Sequence, residues 1–351
     1  MTSHSILPSY GLQEQPLQVE AFGSGLINST WKVTTAGREY ILQKVNDAIF
    51  TRPEKIAHNV RMIAGYLQQH HPDYLFIAPI AANDGAEMIY RKGEGFFRLF
   101  PFVPHSHSFD VVETPGQAFE AAAQFGRFTR MLTGMDTSGL EITLPEFHNL
   151  NLRYQQFREA QEKGNSQRIT ACRWMIEELE GHAGIVERFE QIKNNPEFKL
   201  RVTHHDTKIS NVLFDAQGKG ICVIDLDTAM PGYFISDVGD MMRTYLSPVS
   251  EEEADYSKIE VRDDFYKAIV AGYYGEMKDE LTATEQGHFF YAGLFMIYMQ
   301  ALRFLTDYLN NDQYYGARYP DQNKVRAGNQ LCLLQRLLEK RELYEGDAFC
   351  G

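Results

Sequence analysis

Two very short apolar runs, Val212-Leu213-Phe214 and Ile221-Cys222-Val223-Ile224, flank a turn at Asp215-Ala216-Gln217-Gly218-Lys219-Gly220. Runs of this length, closed by Asp and Gly, read as a pair of strands joined by a tight turn. Polar groups crowd the outer ends of the pair. His204-His205-Asp206-Thr207-Lys208-Ile209-Ser210-Asn211 leads into the first strand, and Asp225-Leu226-Asp227 closes the second. The segment therefore holds a carboxylate on a loop, an amide five residues later, and another carboxylate fourteen residues after the amide. No other stretch constrains the chain as tightly.

Phosphoryl transfer needs this set. One carboxylate accepts the proton of the attacking hydroxyl, while an amide oxygen and a second carboxylate hold the magnesium that bridges nucleotide phosphates. The spacing is that of a kinase catalytic loop, H-x-D followed five residues on by N, with a metal-binding Asp on the next strand. Bulk properties agree with a folded enzyme. The chain has 351 residues, 44% of them hydrophobic and 23% charged, which argues against disorder. A net charge of −13 counts against broad nucleic-acid binding, which needs clustered Lys and Arg. Cys172, Cys222, Cys332 and Cys350 are scattered and form no C-x-x-C, so free thiols in a reducing cytoplasm are expected. Residues 1–20 lack a basic flank followed by an apolar core, so no signal peptide is expected. The most apolar run, Phe289 to Met299, is about half the ~20 residues of a membrane span and reads as a buried helix.

Before the catalytic segment, residues Leu17 to Val45 read as strands: Val19 to Phe22, Trp31 to Thr35 and Tyr40 to Val45. The first two enclose Gly23-Ser24-Gly25-Leu26-Ile27-Asn28, a loop whose glycines let backbone N–H groups approach phosphates. Gly23, Ser24, Gly25 and Asn28 are the candidate nucleotide contacts there. The third strand would supply a cation to the α- and β-phosphates, with Lys44 as the candidate. Gln43 precedes it, and neighbouring strand residues face opposite sides. Only one of the two can point at the phosphates, and the pattern leaves open which.

Thr51-Arg52-Pro53-Glu54 opens a helix running to His70, and Phe76 to Ile80, Met88 to Tyr90 and Gly95 to Phe100 add strand-like segments. These complete an antiparallel sheet of about five strands. Pro101-Phe102-Val103-Pro104 then marks a boundary, giving a nucleotide-binding lobe at 1–103 and a helical lobe at 104–351. Phe102, on this apolar linker, is the candidate adenine contact.

Signals beyond the linker are helical: Gln117 to Leu132, Leu150 to Lys163, a long amphipathic stretch from Ile169 to Lys193, and Tyr256 to Tyr274. In the long stretch Trp174, Ile176, Leu179, Ile185, Val186 and Phe189 read as core. Asp237 and Asp240 sit one turn apart at a helix start, where carboxylates cap exposed N–H groups; Arg243 is placed to pair with one of them. Thr282-Ala283-Thr284-Glu285 fits a capping box before the apolar helix to Leu309, and a last helix spans about Asn323 to Lys340.

The His204-to-Asp227 block resembles the aminoglycoside phosphotransferase and choline kinase superfamily. The fold this implies is α+β and protein-kinase-like, with a small antiparallel sheet lobe and a larger, mostly helical lobe. Three segments are similar to the N-acetylhexosamine 1-kinase branch: the stretch His205 to Gly232, the strand Tyr40-Ile41-Leu42-Gln43-Lys44-Val45-Asn46, and Arg303-Phe304-Leu305-Thr306-Asp307-Tyr308-Leu309. That resemblance implies ATP- and Mg²⁺-dependent phosphorylation of the anomeric hydroxyl of an N-acetylhexosamine; another small alcohol, such as an amino alcohol, homoserine or an aminoglycoside, is the alternative acceptor. It implies Asp206 as the base that orients the hydroxyl and Lys208 as the cation beside the transferring phosphoryl. Asn211 and Asp225 would bind the metal, with Asp227 as a further metal or sugar contact. Tyr314, Tyr315 and Arg318 are the candidate sugar contacts. The chain departs from its relatives in the first helix, where His58 and Asn59 stand in place of a Glu and Glu54 is the only acid.

Overall fold

The computed structural model describes residues 5–13, 17–23 and 27–345. The chain divides into two compact units: Met1–Asp110 with Met131–Pro145 and Ser210–Pro231, and Val111–Arg130 with Glu146–Ile209 and Gly232–Gly351.

The first unit is built on an antiparallel sheet of β1 (Gln18–Ala21), β2 (Ser29–Thr34), β3 (Glu39–Val45), β4 (Ile89–Arg91) and β5 (Gly95–Pro101), in the order β1-β2-β3-β5-β4. Side chains alternate between faces with period two. Val33, Leu42, Phe97 and Leu99 fill one face and pack against Ile6, Leu7 and Tyr10 from a short turn near the N-terminus. The Tyr10 hydroxyl donates to the carbonyl of Phe97 at 3.2 Å. Because β3 and β5 pair Leu42 with Leu99, Gln43 with Arg98 and Lys44 with Phe97, Lys44 follows Leu42 onto this covered face. Gln43 and Arg98 share the opposite one. The expected strand at Phe76–Ile80 has no regular secondary structure and lies outside the sheet; Pro79 has no N–H to give, and the Ile80 N–H donates to the Leu99 carbonyl at 2.7 Å.

Helix α1 (Pro53–His70) starts with Pro at its first turn and buries Ile56, Asn59, Val60, Ile63 and Leu67. This unit also contains the Val212–Phe214/Gly220–Val223 hairpin, which pairs Val212 with Val223 and Leu213 with Cys222.

The second unit is helical. It holds α2 (Pro115–Met131), α3 (Leu150–Lys163), α4 (Ser166–Ala171), α5 (Arg173–Gly181), α6 (Gly184–Lys193), strand β6 (Arg201–Thr203), α7 (Phe234–Tyr245), α8 (Asp263–Met277), α9 (Ala283–Gln286), α10 (Phe289–Leu309), α11 (Gln322–Leu338) and α12 (Arg341–Glu345). The stretch expected as one helix from Ile169 to Lys193 is three, interrupted at Cys172 and at His182-Ala183. Trp174 is 50% exposed rather than core, because Met175, Ile176 and Leu179 occupy the inward stripe of α5.

Helix α10 is long and apolar enough to cross a membrane by length and composition, yet 78% of that window is buried inside the fold. It packs against α3, α7 and α11. Its crossing with α7 is close, since a Cβ on Gly239 would lie 2.3 Å from the carbonyl oxygen of Ala292. The Thr282/Glu285 capping box is present on the short α9, and Gly287 separates it from α10. Glu285 also receives both terminal nitrogens of Arg201, at 2.6 and 2.9 Å, so the strand entering the His204–Lys208 loop is pinned by a buried ion pair.

Candidate active site

In the helical unit, the chain leaves β6 through a loop held by two buried carboxylates of α7. Asp237 accepts the backbone N–H of His204 at 3.0 Å and of His205 at 2.7 Å. Asp240 accepts the backbone N–H of Thr207 at 2.8 Å. The Thr207 hydroxyl donates to the Asp237 carbonyl at 2.8 Å, and the Tyr245 hydroxyl donates to the Thr207 carbonyl. Neither carboxylate caps its own helix, as their position in sequence suggested; both reach back to the catalytic loop. His205 has φ 66°, a left-handed conformation uncommon outside glycine, which the Asp237 contact supports. A Cβ on Gly232 would lie 2.4 Å from His205 Nε2, so glycine there leaves room for this ring.

Burial pushes the Asp237 carboxyl up to about 7, against the two N–H groups that favour its charged form. Burial also raises Asp240, and the Arg243 guanidinium opposes that rise. Arg243 Nη2 lies 2.9 Å from Asp240, so the expected pairing of this arginine is present, and Nη1 lies 3.0 Å from Glu251. Within this braced loop, Asp206 and Lys208 remain accessible, with Lys208 Nζ 3.1 Å from Asp206 Oδ2. The ammonium is about half exposed.

A cavity of about 380 Å³ opens in the same unit, lined by Arg153, Arg303, Asp307, Tyr314 and Tyr315 among others. The aromatic pair His148 and His205, 5.2 Å apart, connects the catalytic loop to Phe147, and Arg303 lies over the Phe147 ring at 5.8 Å. Burial holds His148 well below the usual histidine range, with His205 and Arg303 adding to the effect. Arg153 is lowered by burial and by the charge of Arg303. Arg153 Nη1 and Nη2 bond to Gln156 and to the Glu146 carbonyl, and its Nε is buried with no hydrogen-bond partner among the described residues. Arg303 bonds to Gln300 and, at 3.5 Å, to the Tyr314 hydroxyl. Neither guanidinium forms an ion pair with a carboxylate among the described residues. Asp307 is occupied by the backbone N–H groups of Tyr314 and Tyr315 and by Asn323. Tyr314 and Tyr315 thus come together at the cavity, while Arg318 turns to Glu252.

In the sheet unit, the hairpin brings Asn211 and Asp225 to one end: the N–H of Ile224 donates to the Asn211 carbonyl at 2.9 Å. Asp225 has φ 59° and ψ 63°. Asp227, two residues on, is 3% exposed and engaged on both oxygens. Arg98 Nη1 stands 2.5 Å from Oδ1, a close ion pair without hydrogen-bond alignment, and Asn28 Nδ2 donates to Oδ2 at 2.8 Å. Arg98 in turn donates from Nε and Nη2 to Gln43 Oε1, at 3.1 and 2.9 Å. Gln43, not Lys44, therefore shares a face with this network. The end of the Lys44 side chain runs beside Gly95 on the other face.

Asn59, at the departure in α1, clamps backbone instead of pairing with a lysine; its Nδ2 donates to the carbonyls of Glu141 and Ala229 at 2.8 and 3.0 Å. Glu54 pairs with Arg52 at 2.6 Å on the surface. Phe102 meets Phe22 edge-on at 6.1 Å, with Lys32 Nζ 4.2 Å from its ring centroid. Gly23 is exposed with φ 78°; Ser24 and Gly25 lie outside the described residues. Arg98, Arg153, Arg303 and Asn59 were not singled out from sequence for a site role. The one available signal was Arg98 itself, a charge inside the apolar strand Phe96-Phe97-Arg98-Leu99-Phe100, which demands a buried partner.

A unit built on a small antiparallel sheet and a second, helical unit are the two parts of a kinase-like small-molecule phosphotransferase fold. Residues 18–277 match the family described as Phosphotransferase enzyme family, and the chain belongs to it. Solved structures of similar fold include a microcompartment-associated aminopropanol kinase, 15% identical with a TM-score of 0.67 over 98% of each chain. An aminoglycoside phosphotransferase from Alicyclobacillus acidocaldarius is 14% identical with a TM-score of 0.62, over 97% of this chain and 96% of that one. A choline/ethanolamine kinase family protein from Mesorhizobium loti is 15% identical with a TM-score of 0.61, over 98% and 96%.

Proposed function

We propose that this phosphotransferase uses ATP and Mg²⁺ to phosphorylate the anomeric hydroxyl of an N-acetylhexosamine. Asp206 accepts the proton as the C1 oxygen attacks the γ-phosphorus, the bond from that phosphorus to ADP breaks, and a sugar 1-phosphate and ADP leave. Lys208 neutralises charge on the transferring group, a contribution of positioned electrostatics rather than covalent chemistry. Asn211 and Asp225 present hard oxygen donors from one end of a single hairpin, a set that suits Mg²⁺. When bound, that ion offsets the negative charge of the β- and γ-phosphates. Gly23, Ser24, Gly25 and Asn28 serve the phosphates, and Phe102 offers the adenine an aromatic edge.

The observation that carries the choice of acceptor is the cavity with Arg153 and Arg303. Two guanidiniums without carboxylate partners among the described residues disfavour a cationic acceptor and supply donors to hydroxyl and acetamide oxygens. Tyr314 and Tyr315 add the flat apolar surface that sugar rings stack against.

The test is ATP turnover with N-acetylglucosamine, N-acetylgalactosamine, ethanolamine, choline, homoserine and an aminoglycoside. The expected result is formation of a hexosamine 1-phosphate with the highest kcat/KM of the set. An amino alcohol or aminoglycoside turned over more efficiently than both sugars would overturn the reading.

A further inference from the structure

Asp227 joins three parts of the nucleotide-binding unit. Asn28, just past the glycine loop, donates to one oxygen, and Arg98 of β5 holds the other. The backbone from Asp227 runs two residues back to Asp225. Arg98 is itself aimed. Gln43 lies directly across the strand pair, and its Oε1 accepts two guanidinium N–H groups while its amide nitrogen is tied to Thr30 at 3.3 Å. Arg98 and Asp227 side chains are 3% and 4% exposed, so neither charge has water to turn to.

Asp225 stands in a left-handed conformation that a non-glycine residue keeps only when its surroundings hold it there. On its N-terminal side the holding bond is Ile224 N–H to the Asn211 carbonyl. On its C-terminal side the anchors are Asp227 and, further on, the Ala229 carbonyl bound by Asn59.

We propose that Arg98 is a positioning residue for the metal-binding segment, fixing Asp227 and through it the carboxylate of Asp225. In this chain a β5 arginine aimed by a β3 glutamine does the bracing, while Lys44 lies on the far face of the sheet. Metal affinity is sensitive to such supporting contacts because they set the orientation of the ligand carboxylate. This inference rests on the kinase reading above.

The test reads binding rather than turnover. Calorimetric titration of AMP-PNP is run in EDTA and over a range of Mg²⁺ for wild type, Arg98→Met, Arg98→Lys and the double variant Arg98→Met/Asp227→Asn. The Mg²⁺ concentration giving half of the metal-dependent gain in affinity is expected to rise about 10–100-fold in Arg98→Met. Arg98→Lys is expected to recover part of it, and affinity in EDTA to stay within about threefold of wild type. The double variant, which removes the stranded buried charge and so preserves the fold, is expected to show the same rise. A merely structural arginine would lower Tm and leave the Mg²⁺ midpoint in place; that result overturns the proposal. So does a rise in Lys44→Met with none in Arg98→Met. No AMP-PNP binding by wild type would instead sink the kinase reading itself.

Discussion

The backbone N–H of His205 donates to Asp237 Oδ1 at 2.7 Å, and this bond joins the His204–Lys208 loop to the start of α7. The second oxygen holds His204, so one buried side chain sets the direction in which the loop presents Asp206.

Asp237→Ala strands both of these buried N–H groups. A buried donor left without a partner costs about 1–3 kcal/mol, so for two donors a loss of ~2–6 kcal/mol is expected in urea denaturation. Turnover should fall further than the folded fraction does, because the loop loses its clamp.

The titration of Asp237 gives a pH signature. Its folded value, about 7, exceeds the ordinary 3.8, so the native state binds the proton more readily than the unfolded chain does. Its contribution to stability is complete below the ordinary value, declines as pH rises from about 4 to about 7, and is level above that. The slope is at most about 1.4 kcal/mol per pH unit for one proton. Denaturation of wild type and Asp237→Asn at several pH values checks this; parallel pH profiles of the two proteins would contradict it.

Asp206→Asn keeps the shape of the loop and removes the proposed proton acceptor. Turnover should drop by at least ~100-fold, the usual contribution of a positioned base. Binding of AMP-PNP by calorimetry should stay near the wild-type value.

Arg303→Met removes a cation from the cavity proposed to hold the acceptor. Loss of a hydrogen bond from a charged donor is worth about 1.5–3 kcal/mol, so the acceptor KM should rise by roughly 10–100-fold. The KM for ATP should hold steady in steady-state assays.

Gly239→Ala puts a methyl group 2.3 Å from the carbonyl oxygen of Ala292. The α7–α10 crossing must open, at a cost of about 1–3 kcal/mol. A lower Tm is expected, together with weaker catalysis, because α7 carries Asp237 and Asp240.

Most elements were legible in the chain itself. Leu150–Lys163 reads as a helix from its own pattern and is one, and β3 and β5 differ from their expected bounds by a single residue at one end. Breaks were less visible: nothing between Ile169 and Lys193 is as strong as a proline, and the three helices there each contact α10 or α11. Phe76–Ile80 had the composition of a strand, but Pro79 and the sheet's existing partners kept it out.

What the amino-acid order determines by itself is local: the apolar periods, the capping box at Thr282, and the spacing of Asp206, Asn211 and Asp225 along one loop and one hairpin. These depend on neighbours within a few residues, so they are written in the pattern. Which face of β3 meets Arg98, where Arg303 stands relative to Tyr314, and that Asp237 serves His205 rather than its own helix were decided only by tertiary structure. Buried charges and polar groups must find partners wherever the fold brings them, and those partners lie far along the chain, out of reach of any short-range signal.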